Sequence, residues 1–132
     1  MKKNLITLFT VFMTVFAFVG CQKEDGLSLK GTKWSYTDTY AEDGVQYIVE
    51  NYISFTSSTN AVYGEVETIT AGNESQTYNY TSDYTYQLSG NLVVMTPLQA
   101  GNAYLEGEIS SNIKMVVTNV SYGEVIGTFY KK

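Results

Sequence analysis

Three kinds of side chain in this sequence could do chemistry: paired carboxylates, a single thiol and a file of tyrosines. The carboxylates come as Glu65 with Glu67 and as Glu106 with Glu108. On a strand, residues two apart point to one face and stand roughly 6.6 Å apart along the backbone. Glycoside hydrolysis could use such a spacing. The flanking residues point elsewhere. Val62, Gly64 and Val66 alternate with the first pair, and Leu105 and Ile109 bracket the second. Both pairs therefore read as solvated charge on an outer face.

Other chemistry is short of parts. The chain has no histidine, the commonest general base and metal ligand. Calcium takes six or more oxygens, and Ala41-Glu42-Asp43-Gly44 offers two carboxylates without the alternating acids of a dedicated loop. No catalytic residue, metal or cofactor is expected, and the chain reads as a non-enzyme. The tyrosines remain. Tyr78, Tyr80, Tyr84 and Tyr86 present apolar rings with polar tips, which could line a cavity or stack on sugars. They could equally fill a core with their hydroxyls reaching water at its rim. Trp34 joins them as a candidate ligand-binding residue, or as core.

The elements that must position these residues are strands. From Gly31 onward no helix-length stretch carries apolar residues at three-and-four spacing, and Thr, Tyr, Val and Ile dominate. Seven turn signals recur at short intervals, among them Glu42-Asp43-Gly44, Ala71-Gly72-Asn73, Ser89-Gly90-Asn91 and Ser121-Tyr122-Gly123. They delimit eight predicted strands over 33–40, 45–56, 61–70, 76–88, 92–98, 104–109, 113–119 and 125–130. The fourth alternates most clearly: Tyr78, Tyr80, Tyr84, Tyr86 and Leu88 share a face, and Ser82 interrupts it, as at a bend or bulge. Ile113, Met115 and Val117 alternate likewise, as do Val125, Gly127 and Phe129.

An alternating antiparallel chain has one face to bury and two edges to hide. Eight strands on short turns do both by closing into a meander barrel. A two-sheet β-sandwich is the alternative. The barrel is favoured because every connection is short, whereas Greek-key crossings need a longer link.

The thiol belongs to the N-terminus. Lys2 and Lys3 precede an apolar run from Leu5 to Val19, too short to span a bilayer and proportioned as a secretory signal. An uncut membrane anchor is the other reading. The run ends in Phe18-Val19-Gly20-Cys21, which resembles the bacterial lipobox. That resemblance implies diacylglyceryl transfer to the Cys21 sulfur, cleavage just before it, and acylation of the new amino group. Two or three acyl chains anchor stably where one does so only marginally. Gln22-Lys23-Glu24-Asp25 resembles the short signal that sends Bacteroidetes-type lipoproteins to the outer face of the outer membrane; a solvated charged tether is the plainer reading.

Cleavage takes Lys2 and Lys3 away and leaves six lysines and no arginine against thirteen acids, a net charge of −7. Such a chain disfavours nucleic acid as a partner and lacks the guanidinium fork for phosphate. The expected organisation is a lipoprotein signal over 1–20, a lipidated Cys21 and tether over 21–30, and one barrel domain over 31–132.

Leu29-Lys30-Gly31-Thr32-Lys33-Trp34 opens that domain and Gly127-Thr128-Phe129-Tyr130-Lys131 closes it, with Tyr52-Ile53-Ser54-Phe55 between. This pattern resembles the small lipocalin-like lipoproteins of gut Bacteroidetes, and it implies a barrel whose Trp plugs the closed end. Two functions follow as expectations. One is a surface-displayed binding protein that takes a small apolar or glycan-like ligand in a Tyr-lined interior. The other is an envelope interaction protein or inhibitor that meets another envelope protein, or a host protein, through its outer face and loops. Tyr63, Ile69, Val93 and Ile126 are the candidates for an outer apolar patch.

Overall fold

A computed structural model describes residues 27–132. The signal, Cys21 and Gln22-Lys23-Glu24-Asp25 lie outside the described residues. Eight strands follow one another: β1 (Lys33–Glu42), β2 (Val45–Phe55), β3 (Asn60–Ala71), β4 (Glu74–Ser89), β5 (Leu92–Pro97), β6 (Leu105–Ser111), β7 (Lys114–Asn119) and β8 (Glu124–Lys131). Each pairs antiparallel with the next, and β8 returns to β1, so the sheet is a closed meander barrel. This all-β, eight-stranded architecture is the one expected, and it is consistent with a lipocalin-like fold.

Local chemistry sets the register. Asp43 and Gly44 both adopt positive φ (51° and 79°) between Glu42 and Val45, the two-residue turn whose twist matches the flanking strands. That turn pairs Tyr40 with Tyr47 and Trp34 with Ile53. One face of each strand then fills the barrel. Trp34, Ile53, Phe55, Val93, Met95, Met115, Val117 and Phe129 are all but wholly buried, and Leu27 and Leu29, ahead of the first strand, pack against them. Trp34 is fixed at the start of β1: its indole N–H donates to Thr32 Oγ1 at 2.9 Å, and the Thr32 hydroxyl donates to the Leu29 carbonyl at 2.6 Å.

The walls are unequal. Strands β1 to β4 run for 10, 11, 12 and 16 residues, whereas β5 to β8 run for 6, 7, 6 and 8. The β1–β8 seam holds only two residue pairs, Trp34 with Lys131 and Ser35 with Tyr130. On the other side, β5 leaves β4 at the Tyr84–Pro97 pair, with one further bond from Leu98 N–H to the Asp83 carbonyl. Residues 36–42, 45–51, 65–71 and 74–82 therefore continue past the closed barrel as a four-stranded arm. Among the described residues, no strand pairs with its two outer edges.

Several expected faces change. Tyr63 and Val93 do not face outward: Val93 is fully buried, and Tyr63 pairs with Ile53 and donates to Asn51 Oδ1 at 2.6 Å. Ile126 packs on the core because the β7–β8 register shifts between Val117 and Thr118, which also leaves Val125 exposed. Ile69 pairs with Tyr47 on the inner side. In β3 the odd residues face inward from Ala61 onward, so Val62 and Val66 are outer residues and Glu65 and Glu67 are inner ones. Ser82 makes no bulge; it pairs regularly with Tyr63, and its small side chain leaves room for that ring. Ile113 sits in the turn before β7 and is exposed.

Candidate functional site

The five candidate ligand residues separate into two groups. Trp34, Tyr84 and Tyr86 are core. The Tyr84 hydroxyl donates to the Ala103 carbonyl at 2.9 Å, and the Tyr86 hydroxyl to the Ser57 carbonyl at 2.7 Å. The Tyr86 ring meets Phe55 edge-on at 4.8 Å, and burial pushes both hydroxyls up in pKa. These tyrosines complete a packed interior. Tyr78 and Tyr80 lie on the same face of β4 but on the arm, 41% and 57% exposed.

Register places their neighbours. Across the arm, inner residues form three rows: Tyr36, Asn51, Glu65, Tyr80; then Asp38, Val49, Glu67, Tyr78; then Tyr40, Tyr47, Ile69, Gln76. Paired residues on adjacent strands share a face, with Cβ atoms about 4.5–5.5 Å apart. Four tyrosines and three carboxylates thus share the open part of this surface, and Tyr36 and Asn51 are drawn into the core at its base. Tyr40 and Tyr47 stack at 4.8 Å with ring planes 7° apart. The Tyr78 hydroxyl donates to Gln76 Oε1 at 2.8 Å. Partial desolvation holds the Tyr40 hydroxyl above its usual range, and Glu67, Tyr47, Glu42 and Asp38 push it the same way.

Where arm meets barrel, the inner face becomes dry. Burial pushes the Tyr63 hydroxyl up to about 12, with Glu65 and Tyr84 adding to the effect. Tyr36 lies against the neighbouring β8 just past the seam, and a Cβ on Gly127 would stand 2.8 Å from its ring. Its ring is 6.1 Å from that of Phe129. This layer separates the packed bore from the open arm.

The opposite face of the arm is built differently. Thr37, Thr39, Thr68, Thr77 and Asn79 punctuate it, and Thr68 and Thr77 approach to 3.3 Å across the β3–β4 pair. The Tyr52 ring covers Gly64, where a side chain would collide with it, and Lys33 Nζ sits 4.2 Å from that ring's centre. Two grooves open at the surface. One of about 300 Å³ is lined by Thr59, Thr85, Tyr86, Gln87, Val94 and Thr96. One of about 650 Å³ opens where the β1–β8 seam ends, between Ser35, Tyr36 and Thr37 on one side and Gly127, Thr128 and Lys132 on the other.

Glu65 and Glu67 are thus not outer-face charge; they stand half-buried among tyrosines on the inner face of the arm. Glu106 and Glu108 do face outward, since Leu105, Gly107 and Ile109 take the interior. Tyr40, Tyr47 and Asp38 belong to the site and were not singled out by sequence. The Asp-Gly turn was the signal that could have found them, because it fixes their partners by counting back from Glu42 and Val45. Comparison with protein families and with curated proteins finds no match for this chain.

Proposed function

We propose that this protein is a non-catalytic, lipid-anchored binding protein of the bacterial outer membrane, displayed at the cell surface and akin to the lipocalin-like lipoproteins of Bacteroidetes. Its ligand lies on the inner face of the arm, outside the barrel. A single observation supports this most: the tyrosines of β4 divide at Ser82, with Tyr84 and Tyr86 consumed by packing and Tyr78 and Tyr80 left open beside Tyr40 and Tyr47.

Ring faces flanked by carboxylates suit a glycan-like ligand. Sugar C–H faces lie on tyrosine rings, and sugar hydroxyls donate to Asp38, Glu65 and Glu67. The acidity of the arm selects neutral or amino sugars over uronic acids or sulfated chains. Lipid on Cys21 supplies the anchor, and Gln22-Lys23-Glu24-Asp25 supplies the address.

A second reading has its own support. Residues 74–82 form an unpaired β4 edge, which an extended segment of a partner protein can join by strand addition. Titration with oligosaccharides of bacterial and host origin, followed by amide chemical shifts, tests the two together. Shifts clustered on Tyr40, Tyr47, Tyr78 and Tyr80, and lost in Tyr78→Ala, uphold the first. Shifts confined to core residues such as Tyr84 and Tyr86 would return the ligand to the bore and overturn it.

A further inference from the structure

All five lysines of the described residues, Lys30, Lys33, Lys114, Lys131 and Lys132, are exposed, and they gather at one corner of the barrel. Strand pairing makes the corner compact. Lys132 N–H donates to the Lys33 carbonyl at 2.9 Å, and Lys131 pairs with Trp34 while its N–H reaches the Ile113 carbonyl at 2.9 Å. Lys114 pairs with Tyr130, and Lys30 lies in the turn ahead of β1. Of the acids among the described residues, Glu108 is closest along this end, opposite Val116 and Leu92.

The far end has the opposite sign. Residues 36–82 hold seven acids, namely Asp38, Glu42, Asp43, Glu50, Glu65, Glu67 and Glu74, and no lysine or arginine. From Lys33 to Glu42 a strand rises about 30 Å, nearly four Debye lengths of about 8 Å at physiological salt. A negative surface meeting the lysine corner therefore feels little of the arm.

Two exposed apolar side chains stand within that corner, Ile113 at 61% and Tyr130 at 51%. Ammonium groups around an aliphatic turn tip and a tyrosine are the pattern of an interfacial contact: lysines meet headgroup phosphates while the apolar groups enter just below. The chain also enters here. Five residues separate Cys21 from Leu27, a reach of at most about 22 Å, so a lipid on Cys21 holds this corner next to the bilayer.

We infer that the lysine corner, with Ile113 and Tyr130, docks on the anionic headgroups of the membrane and holds the barrel upright, arm outward. The inference takes its proximity from the lipid-anchor reading, but the contact itself needs no lipid on the chain. The closed barrel and its core lie within residues 27–132, so a chain beginning at Gln22 retains the whole fold.

That chain is sedimented with vesicles of phosphatidylcholine alone and of equal parts phosphatidylcholine and phosphatidylglycerol. The expected result is preferential binding to the anionic vesicles that fades with added salt. Removing a lysine charge should lower the partition about fivefold, so Lys114→Gln with Lys131→Gln lowers it by about 25-fold. Ile113→Asp should lower it too, whereas Tyr80→Ala on the arm should not. Equal partition onto both vesicles, no loss in the lysine double variant, or preferential binding to a soluble acidic polypeptide would overturn the inference. Retention of full-length Cys21→Ala in cell membranes washed with concentrated salt, which strips the lysine contact, bears instead on the anchor and separates failure of that reading from failure of this one.

Discussion

Tyr80 and Tyr86 lie on one face of β4, six residues apart, and the structure gives them opposite duties. Tyr86 is 7% exposed, packs edge-on against Phe55 and donates to the Ser57 carbonyl. Truncating a buried aromatic residue to alanine costs about 3–5 kcal/mol, through lost transfer energy and the cavity left behind. Tyr80 is 57% exposed, and no element covers its ring among the described residues. Its loss should cost no more than about 0.5 kcal/mol. For a body of this size 1 kcal/mol moves the melting temperature by about 4–8 °C. Tyr86→Ala should therefore melt at least about 12 °C below the parent chain, and Tyr80→Ala within about 4 °C of it. Circular dichroism melts and urea titrations of both variants measure the contrast. A Tyr80→Ala loss above about 2 kcal/mol, or a Tyr86→Ala loss below about 1 kcal/mol, would refute the division of β4 into core and open arm.

Three further outcomes are expected. Gly127→Ala places a methyl group 2.8 Å from the Tyr36 ring; it should cost about 1–3 kcal/mol by overpacking, read from the urea midpoint, and Tyr36→Ala in the same chain should recover part of the loss. Stability should fall between about pH 10 and about pH 12, because the Tyr63 hydroxyl titrates near 10 when unfolded and at about 12 when folded. Folding favours its protonated form, so that contribution is whole below pH 10 and vanishes through pH 12; it is on the order of 2 kcal/mol after allowance for part exposure. Tyr63→Phe should flatten this slope, though not abolish it, since Tyr84 and Tyr86 shift the same way. Cys21→Ala should release the protein from salt-washed cell membranes on fractionation, and unchanged fractionation there would contradict the lipid anchor.

The strands and their closure were legible because turn chemistry and period-two alternation act locally. Asp43-Gly44, Gly72-Asn73 and Gly90-Asn91 punctuate the chain where hairpins turn, and the alternation of β4 is visible residue by residue. Which face is wet was less legible, and β3 shows why. Ala61, Tyr63 and Ile69 alternate with Val62 and Val66, so hydrophobicity alone could not choose a side. Pairing of Phe55 with Ala61 across the turn made the choice. The arm was hidden for a related reason. Alternation says that a strand has two faces, but only comparison of strand lengths around a closed barrel shows where a wall must run on alone. Ile126 escaped because a register shift in one strand pair leaves no trace in the pattern of residue types.

The unpaired margins of the arm have a consequence for crowding. Bare strand margins invite neighbouring copies to zip together, and copies brought close to one another would meet along them. Here seven carboxylates with no compensating cation in residues 36–82 oppose such meetings. Neighbours are kept apart by repulsion that acts within a Debye length and weakens in salt. Acidification or divalent ions would mute it, and clustering of the protein should then begin at the arms.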